Sequence, residues 1–448
     1  MKRFDVYIGL GLILTLFLGA PAGLTWAGEQ KMTLEQCLKT GIENNPSLKA
    51  SRFDVDMSAQ GIKQARADFL PSVSSSYSMT PIRSINSKYG SGTIQDTDYI
   101  DKDVRSFSIR LTQILYAGSR ITNTYQRARV SEQLAKTEME LAGMELAYRI
   151  ETTFYKLMKA KQDVITTQES VNRLTESVKS AEAFLERELV PWVNVLQARV
   201  DLADAQDLYK IAKNDVNRQR VELFSLMNQR LDPAIEFSGP LNPLLATEPV
   251  FDDSLKYALE NRPDIKSLGH QLEIAQKDAQ IAMGKYLPTV KFDVGYYDRN
   301  DEYDEYNQYG KSRDQRNRYW SGGLTASWDL FDGGRAWYEK EKYNTQAQKI
   351  TALIEDAKNE IATGIYNALY SMNEAKQRIK TSAEALTAAN EYYDVEKNRL
   401  KAGLSTIPSL LDAQDRLLRA HANETRATLD YQLAVSELKF YTGKKNIE

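Results

Sequence analysis

The chain of 448 residues is 42% apolar and 27% charged, with a formal net charge of -3, one cysteine and two histidines. That balance leaves no basic excess for nucleic acid. Cys37 has no partner for an internal disulfide, and with His270 and His421 isolated there is no cluster to hold a metal, so no metal or cofactor is expected. A nucleophile motif and a phosphate loop are likewise missing, which makes an enzyme the least supported reading.

Met1-Lys2-Arg3 supplies a positive start, Val6 to Ala20 is almost wholly apolar, and Thr25-Trp26-Ala27 offers a small-residue cleavage site. Residues 1–27 are therefore expected to be a signal peptide, because the run is short of the roughly 20 apolar residues of a spanning helix. Cys37 follows the partly charged Leu34-Glu35-Gln36, a poor site for a lipid anchor, and is expected to be buried in a helix. No later segment is apolar enough to span a bilayer as a helix, which leaves a membrane barrel open, since its strands only alternate over about ten residues.

The remainder reads as a duplication. Glu43-Asn44-Asn45-Pro46 recurs as Glu260-Asn261-Arg262-Pro263, and Phe69-Leu70-Pro71 as Tyr286-Leu287-Pro288, both 217 residues on. Past the strands the separation becomes 215, from Arg120 to Arg335, and it holds from Val195-Leu196-Gln197-Ala198 to Leu410-Leu411-Asp412-Ala413. The first repeat is placed at 28–230 and the second at 251–448, joined by a connector at 231–250 that carries Pro233, Pro240, Pro243 and Pro249.

Each repeat is expected to run short helices, strand, loop, strand, corner, long helix, return helix. Thr33 with Gln36 makes a capping box for the first helix, and the Leu-Pro pairs end the second. Period-two patterning predicts strands at about 72–79, 104–114, 289–297 and 319–330. Thr80 to Asp103 and Asp298 to Arg318 are polar and read as solvated loops. Apolar faces with Tyr and Trp near the rims suit a barrel's outer surface, and equally a soluble sandwich whose apolar face packs on a second sheet. Four strands cannot close a barrel, since small barrels need about eight; closure would take other copies of the chain.

Corners are expected at Leu115-Tyr116-Ala117-Gly118-Ser119-Arg120 and Leu330-Phe331-Asp332-Gly333-Gly334-Arg335, where Gly118, Gly333 and Gly334 supply turns that other residues resist. Helical hairpins follow at about 119–230 and 335–441. Proline is absent from Ser119 to Arg187, enough for a rod of about 100 Å at 1.5 Å per residue. The return arm repeats every seven residues through Val195, Leu202, Tyr209, Val216 and Leu223, with Ala198, Ala205 and Ala212 beside it. Its duplicate does so through Leu410, Leu417, Tyr431 and Leu438, beside Ala413, Ala420, Ala427 and Ala434. Such a seam is that of a coiled coil with close helix approach. Asn194, Asp201, Asp204 and Asp215 fall on the polar remainder, solvated outside or lining a channel. The turns at Leu189-Val190-Pro191-Trp192 and Gly403-Leu404-Ser405-Thr406-Ile407-Pro408 expose small and apolar residues that suit a docking surface.

The leader, the tandem repeat, the Asn-Pro and Leu-Pro landmarks, the Leu-Phe-Asp-Gly-Gly-Arg corner and the Gly-Leu-Ser-Thr-Ile-Pro-Ser-Leu-Leu-Asp-Ala-Gln tip together resemble the TolC-like outer-membrane efflux family over nearly the whole mature chain. The resemblance implies a mainly α fold with a β-barrel: a homotrimer in which each copy gives four strands to a twelve-stranded barrel in outer-membrane lipid, and long coiled-coil helices to a periplasmic tunnel. It implies an exit duct in a Gram-negative bacterium, serving efflux or type I secretion with an inner-membrane pump and a periplasmic adaptor. By the same resemblance Asp412 would supply the acidic ring of a constriction, with Ser409 one turn earlier and Asn194 and Gln197 as first-repeat counterparts. Gly403, Leu404 and Ser405, with Leu189 and Val190 of the first-repeat tip, where Glu188 replaces the glycine, would touch the adaptor. Members that clamp the entrance use a basic or tyrosine partner near the tip, and Leu400 and Ser405 occupy those places here, so the same latch is not expected. A soluble periplasmic coiled-coil scaffold or adaptor without a pore is the alternative.

Overall fold

The computed structural model describes residues 30–90, 93–239, 249–303 and 315–444. The expected signal peptide, Pro240 and Pro243 of the connector and residues 304–314 lie outside the described residues. In chain order the elements are β1 Gln30–Met32, α1 Leu34–Asn44, α2 Pro46–Ala67, β2 Ser72–Gly90, β3 Thr93–Ala117, α3 Arg120–Glu186 and α4 Trp192–Leu226. After β4 Ile235–Phe237, the second repeat follows as α5 Phe251–Asn261, α6 Pro263–Met283, β5 Thr289–Tyr303, β6 Gln315–Ser327, α7 Arg335–Lys401 and α8 Ile407–Thr442. The chain is mainly helical, and no described helix is long and apolar enough to cross a membrane.

The strands run further than the apolar alternation marks. Thr80 to Asp103, read as a solvated loop, is largely paired backbone: β2 meets β3 from Ser72↔Thr112 to Gly90↔Thr93. Likewise β5 continues through Asp298 to Tyr303 and β6 begins at Gln315. Backbone hydrogen bonding, which every non-proline residue can join, carries these polar extensions without an apolar face. At its other end β6 stops at Ser327, short of the expected 330, because Trp328 turns away and donates its indole N–H to Tyr286 O at 2.8 Å. The four strands form one antiparallel sheet in the order β2-β3-β5-β6, so the repeats join through β3 and β5 while β2 and β6 are left as edges. A two-stranded parallel pair, β1 with β4, ties the start of the described chain to the connector.

The long helices, α3 and α7, each have 67 residues, about 100 Å at 1.5 Å per residue. Their return partners bury the heptad seam: Val195, Ala198, Leu223, Ala413, Leu417, Ala427 and Leu438 are all inaccessible or nearly so. The small residues let α4 lie on α3, and α8 on α7, at close range. Where α7 meets the end of α8, Gly364 leaves room for the Tyr441 ring. Cys37 sits fully buried in a cluster with Ile150, Phe154, Leu157 and Phe237, and burial pushes its thiol up to about 12, so it is inert.

The duplication extends to hydrogen bonds. Asn45 caps α2 through the N–H groups of Ser47 and Leu48 and donates from Nδ2 to Leu226 O at the end of α4. Arg262, its counterpart, binds Phe440 O and Tyr441 O at the end of α8 and the carboxylate of Asp264. Gln113 donates to Phe69 O as Trp328 does to Tyr286 O.

Candidate functional site

The two hairpin tips lie together over one apolar cluster. Leu174, Val178 and Ala181 of α3, Val195 and Ala198 of α4, Leu400 of α7 and Ile407, Leu410 and Leu411 of α8 pack there. Both tips turn through a left-handed residue, Gly403 at φ 70° and Glu188 at φ 56°. Glu188 bears a strain of about 1 kcal/mol that glycine avoids.

Of the residues expected to be presented at the tips, Leu404 and Leu189 are exposed, at 71% and 65%. Val190 is half-buried against the apolar cluster, and Ser405 is turned inward, its hydroxyl donating to the carboxylate of Glu396. Glu396 is only 8% exposed and has Arg399 as its cationic neighbour at 3.7 Å. The inward turn follows because a buried carboxylate needs donors. Replacing Glu396 by alanine is expected to speed amide exchange at residues 402–406 at least tenfold, since a hydrogen bond to a charged group contributes roughly 1.5–3 kcal/mol. Glu396→Gln, which still accepts from Ser405, is expected to change it much less. Equal exchange in wild type and Glu396→Ala would remove this bond as the tip's brace.

Beyond the tips, α3, α4 and α8 enclose a cleft of about 360 Å³. Gln197 and Asp412, from the two repeats, face it together with Asp201, Asp204, Gln414 and Asp415. Ser409 and Asn194 do not line it. The Ser409 hydroxyl is engaged with Thr406 Oγ1 at 2.9 Å, where Thr406 caps α8, and Asn194 lies half-buried at the start of α4. Gln197 donates to Asp201 at 2.9 Å, Asp412 pairs with Arg416 at 2.8 Å, and Asp415 pairs with Arg419 at 2.9 Å. Burial raises the Asp201 carboxyl above its ordinary range, the Gln197 hydrogen bond opposes this, and the charges of Asp204 and Asp415 add to the rise. The cleft thus concentrates negative charge with one carboxylate poised to take a proton early. Periodicity puts Asp201 and Asp204 on the polar face of α4; nothing local marks Asp415 or Gln414 as their neighbours.

The corners hold no reactive groups. Gly118, Gly333 and Gly334 adopt φ of 62°, 73° and 82°. Asp332 accepts from the N–H groups of Gly334 and Ala336, each at 2.9 Å, and so caps α7. The same amides hold its carboxyl below the usual range, Ala336 most strongly. Among the described residues no group of three metal-ligating side chains forms.

The outer membrane efflux protein family matches residues 38–229 and 255–444, one block for each repeat. The chain belongs to that family. The outer membrane efflux protein BepC of Brucella suis biovar 1 is 20% identical over 94% of this chain and 87% of its own length. The alkaline protease secretion protein AprF of Pseudomonas aeruginosa is 22% identical over 90% and 82%. The Campylobacter jejuni CmeC outer membrane channel has the same fold, with a TM-score of 0.78 at 15% identity over 97% of this chain and 94% of that one. The family is one of transport proteins, and the soluble scaffold reading falls away.

Proposed function

We propose that the protein is the passive exit duct of a tripartite export system, receiving substrate from an inner-membrane pump through a periplasmic adaptor. Three copies complete a twelve-stranded barrel, and α3, α4, α7 and α8 of each build the tunnel that carries substrate across the periplasm. The observation that carries this is the four-stranded sheet with two unpaired edges, set on two 67-residue helices. Free edges and an outward apolar face, including Val73, Tyr77, Trp320 and Leu324, cost little only in a closed barrel within lipid. The adaptor meets Leu404, Gly403 and Leu189 directly, while Ser405 and Val190 shape the turns behind them. Purification is expected to need detergent and to give a particle of three chains by mass; a monomer stable in water would overturn the reading.

The acidic cleft is the constriction in this proposal, with Asp412 and Gln197 as the paired positions from the two repeats. Changing Asp412 to lysine is expected to lower cation selectivity in planar-bilayer recordings several-fold; unchanged conductance and selectivity would take it out of the pore. Asp201 gives the pH dependence. Its folded-state pKa lies above the ordinary 3.8, so on acidification its charge is lost at a higher pH than that of a free aspartate, and selectivity begins to fall there. The ionised form is disfavoured by folding, so this group costs stability at neutral pH, a cost relieved as pH falls through its folded pKa. Asp201→Asn is expected to abolish the early phase of the selectivity change and to stabilise slightly at pH 7. An unaltered pH profile in that variant would assign the titration elsewhere.

A further inference from the structure

The outward face of the sheet changes character along the strands. Its apolar band runs on β3 from Tyr116 to Phe107, about 30 Å along the strand, which at a barrel's tilt matches the roughly 25 Å of a lipid-facing band. Tyr296 and Trp320, with ring centroids 5.4 Å apart, share an outward row with Ile109 and mark the band's edge there. The Tyr116 end meets the corners from which the long helices leave for the periplasm. The Trp320 end therefore faces the cell exterior.

Beyond Trp320 the same face turns basic. Two and four residues further along β6, about 7 and 13 Å, stand Arg318 and Arg316, each with a side chain 54% exposed. Both converge on the carboxylate of Asp298, itself only 16% exposed. Arg316 takes both oxygens, Nε to Oδ1 at 2.9 Å and Nη2 to Oδ2 at 2.6 Å, whereas Arg318 comes no closer than 3.4 Å, from Nε to Oδ2. On the same face Arg83 pairs with Asp103 and Arg105 with Glu302. Among the described residues four arginines thus meet three carboxylates on this rim. Cross-strand pairing alone does not call for the surplus, because neighbouring like charges repel and one carboxylate offsets only one of them. The guanidinium of Arg318 keeps donors for a second anion.

We infer that Arg318 and Arg316 form a clamp for a lipid phosphate in the outer leaflet of the outer membrane, where the lipid is a phosphorylated glycolipid. The inference rests on the membrane-barrel reading above and names what the rim of that barrel recognises. Depth agrees, since headgroups occupy the several ångströms beyond the hydrocarbon edge that Trp320 marks. Geometry agrees as well: a guanidinium fork matches phosphate oxygens two at a time, and the less exposed Asp298 between the two arginines holds both side chains in place. Basic clusters facing a membrane surface bind lipid headgroups by the same chemistry.

The test is lipid binding by the full chain in detergent, with three probes: bisphosphorylated lipid A, the same lipid A stripped of its phosphates, and phosphatidylglycerol. Wild type is expected to bind the bisphosphorylated form about tenfold or more tighter than the stripped one, because charge-assisted, bidentate contacts are the strong ones. Arg316→Gln with Arg318→Gln should remove that preference. Arg316→Lys with Arg318→Lys, which keeps the charge without the fork, should lie between. Arg110→Gln with Lys291→Gln takes equal charge from the inward face, where Arg110 donates to Tyr297 Oη at 3.2 Å, and should leave the preference intact. Equal affinity for the stripped lipid, an undiminished preference in the outward Gln pair, or an equal loss in the inward pair overturns the clamp. Phosphatidylglycerol bound as tightly as lipid A overturns its assignment to the outer-leaflet glycolipid. A wild-type chain that stays in water without detergent overturns the barrel reading itself.

Discussion

Replacing Arg262 by alanine is expected to loosen the C-terminal end of α8 by about 3 kcal/mol. The guanidinium is 5% exposed and bridges the Asp264 carboxylate to the carbonyls of Phe440 and Tyr441, at 2.8 and 2.9 Å. It also stands over the rings of those two residues, 5.4 and 5.8 Å from their centroids. Truncation strands carbonyls that the helix cannot satisfy itself. Each buried unpaired group costs roughly 1–3 kcal/mol, while the ion pair with the more exposed Asp264 adds little. The check is native-state proteolysis near residue 440, whose rate follows the local opening equilibrium and should rise about 100-fold for such a change. Asn45→Ala, which removes one bond to Leu226 O and the cap of α2, should loosen α4 by about 1–2 kcal/mol. Arg262→Lys should fall between wild type and Arg262→Ala, because a point charge cannot reach all three acceptors at once. A cleavage rate unchanged in Arg262→Ala would refute the clamp.

How much of this was legible in the sequence follows the range of the forces involved. Heptad positions such as Val195, Ala198, Leu417 and Leu438 are buried where their spacing put them, because the period of a helix is a local property. The sheet's apolar alternation located its strands but not their ends: from Thr80 onward pairing is carried by backbone, and residue type hardly registers it. The acidic cleft was only half visible. Asp201 and Asp415 meet because α4 and α8 lie side by side in one register, a fact held in the packing of four helices rather than in either segment. Glu396 was hidden for a similar reason, since its partner Ser405 lies across a turn and a glutamate on a long helix usually signals a solvated face. The family resemblance named Asp412 and the tips, yet it could not say that Ser405 would point inward or that Ser409 would be occupied with Thr406.

Alanine at Gly118 is expected to be far more damaging than alanine at Gly333, although both glycines open the same corner. Each sits at a left-handed φ, which costs a residue bearing a Cβ about 1 kcal/mol. At Gly118 the new methyl would also collide with Gly284 O, a backbone atom that no rotamer change can move aside, and with Leu287 Cβ. Relieving that overlap means separating β3 from the end of α6, for a further 1–3 kcal/mol. Gly118→Ala should therefore lower stability by about 2–4 kcal/mol, read as a depressed unfolding midpoint and a reduced yield of folded protein, whatever the state of assembly. Gly333→Ala should lose only the conformational part in an isolated chain. The two variants thus separate the conformational cost of the turn from the cost of the overlap with Gly284. Equal losses of stability in the two variants would mean that the overlap at Gly118 is relieved without cost.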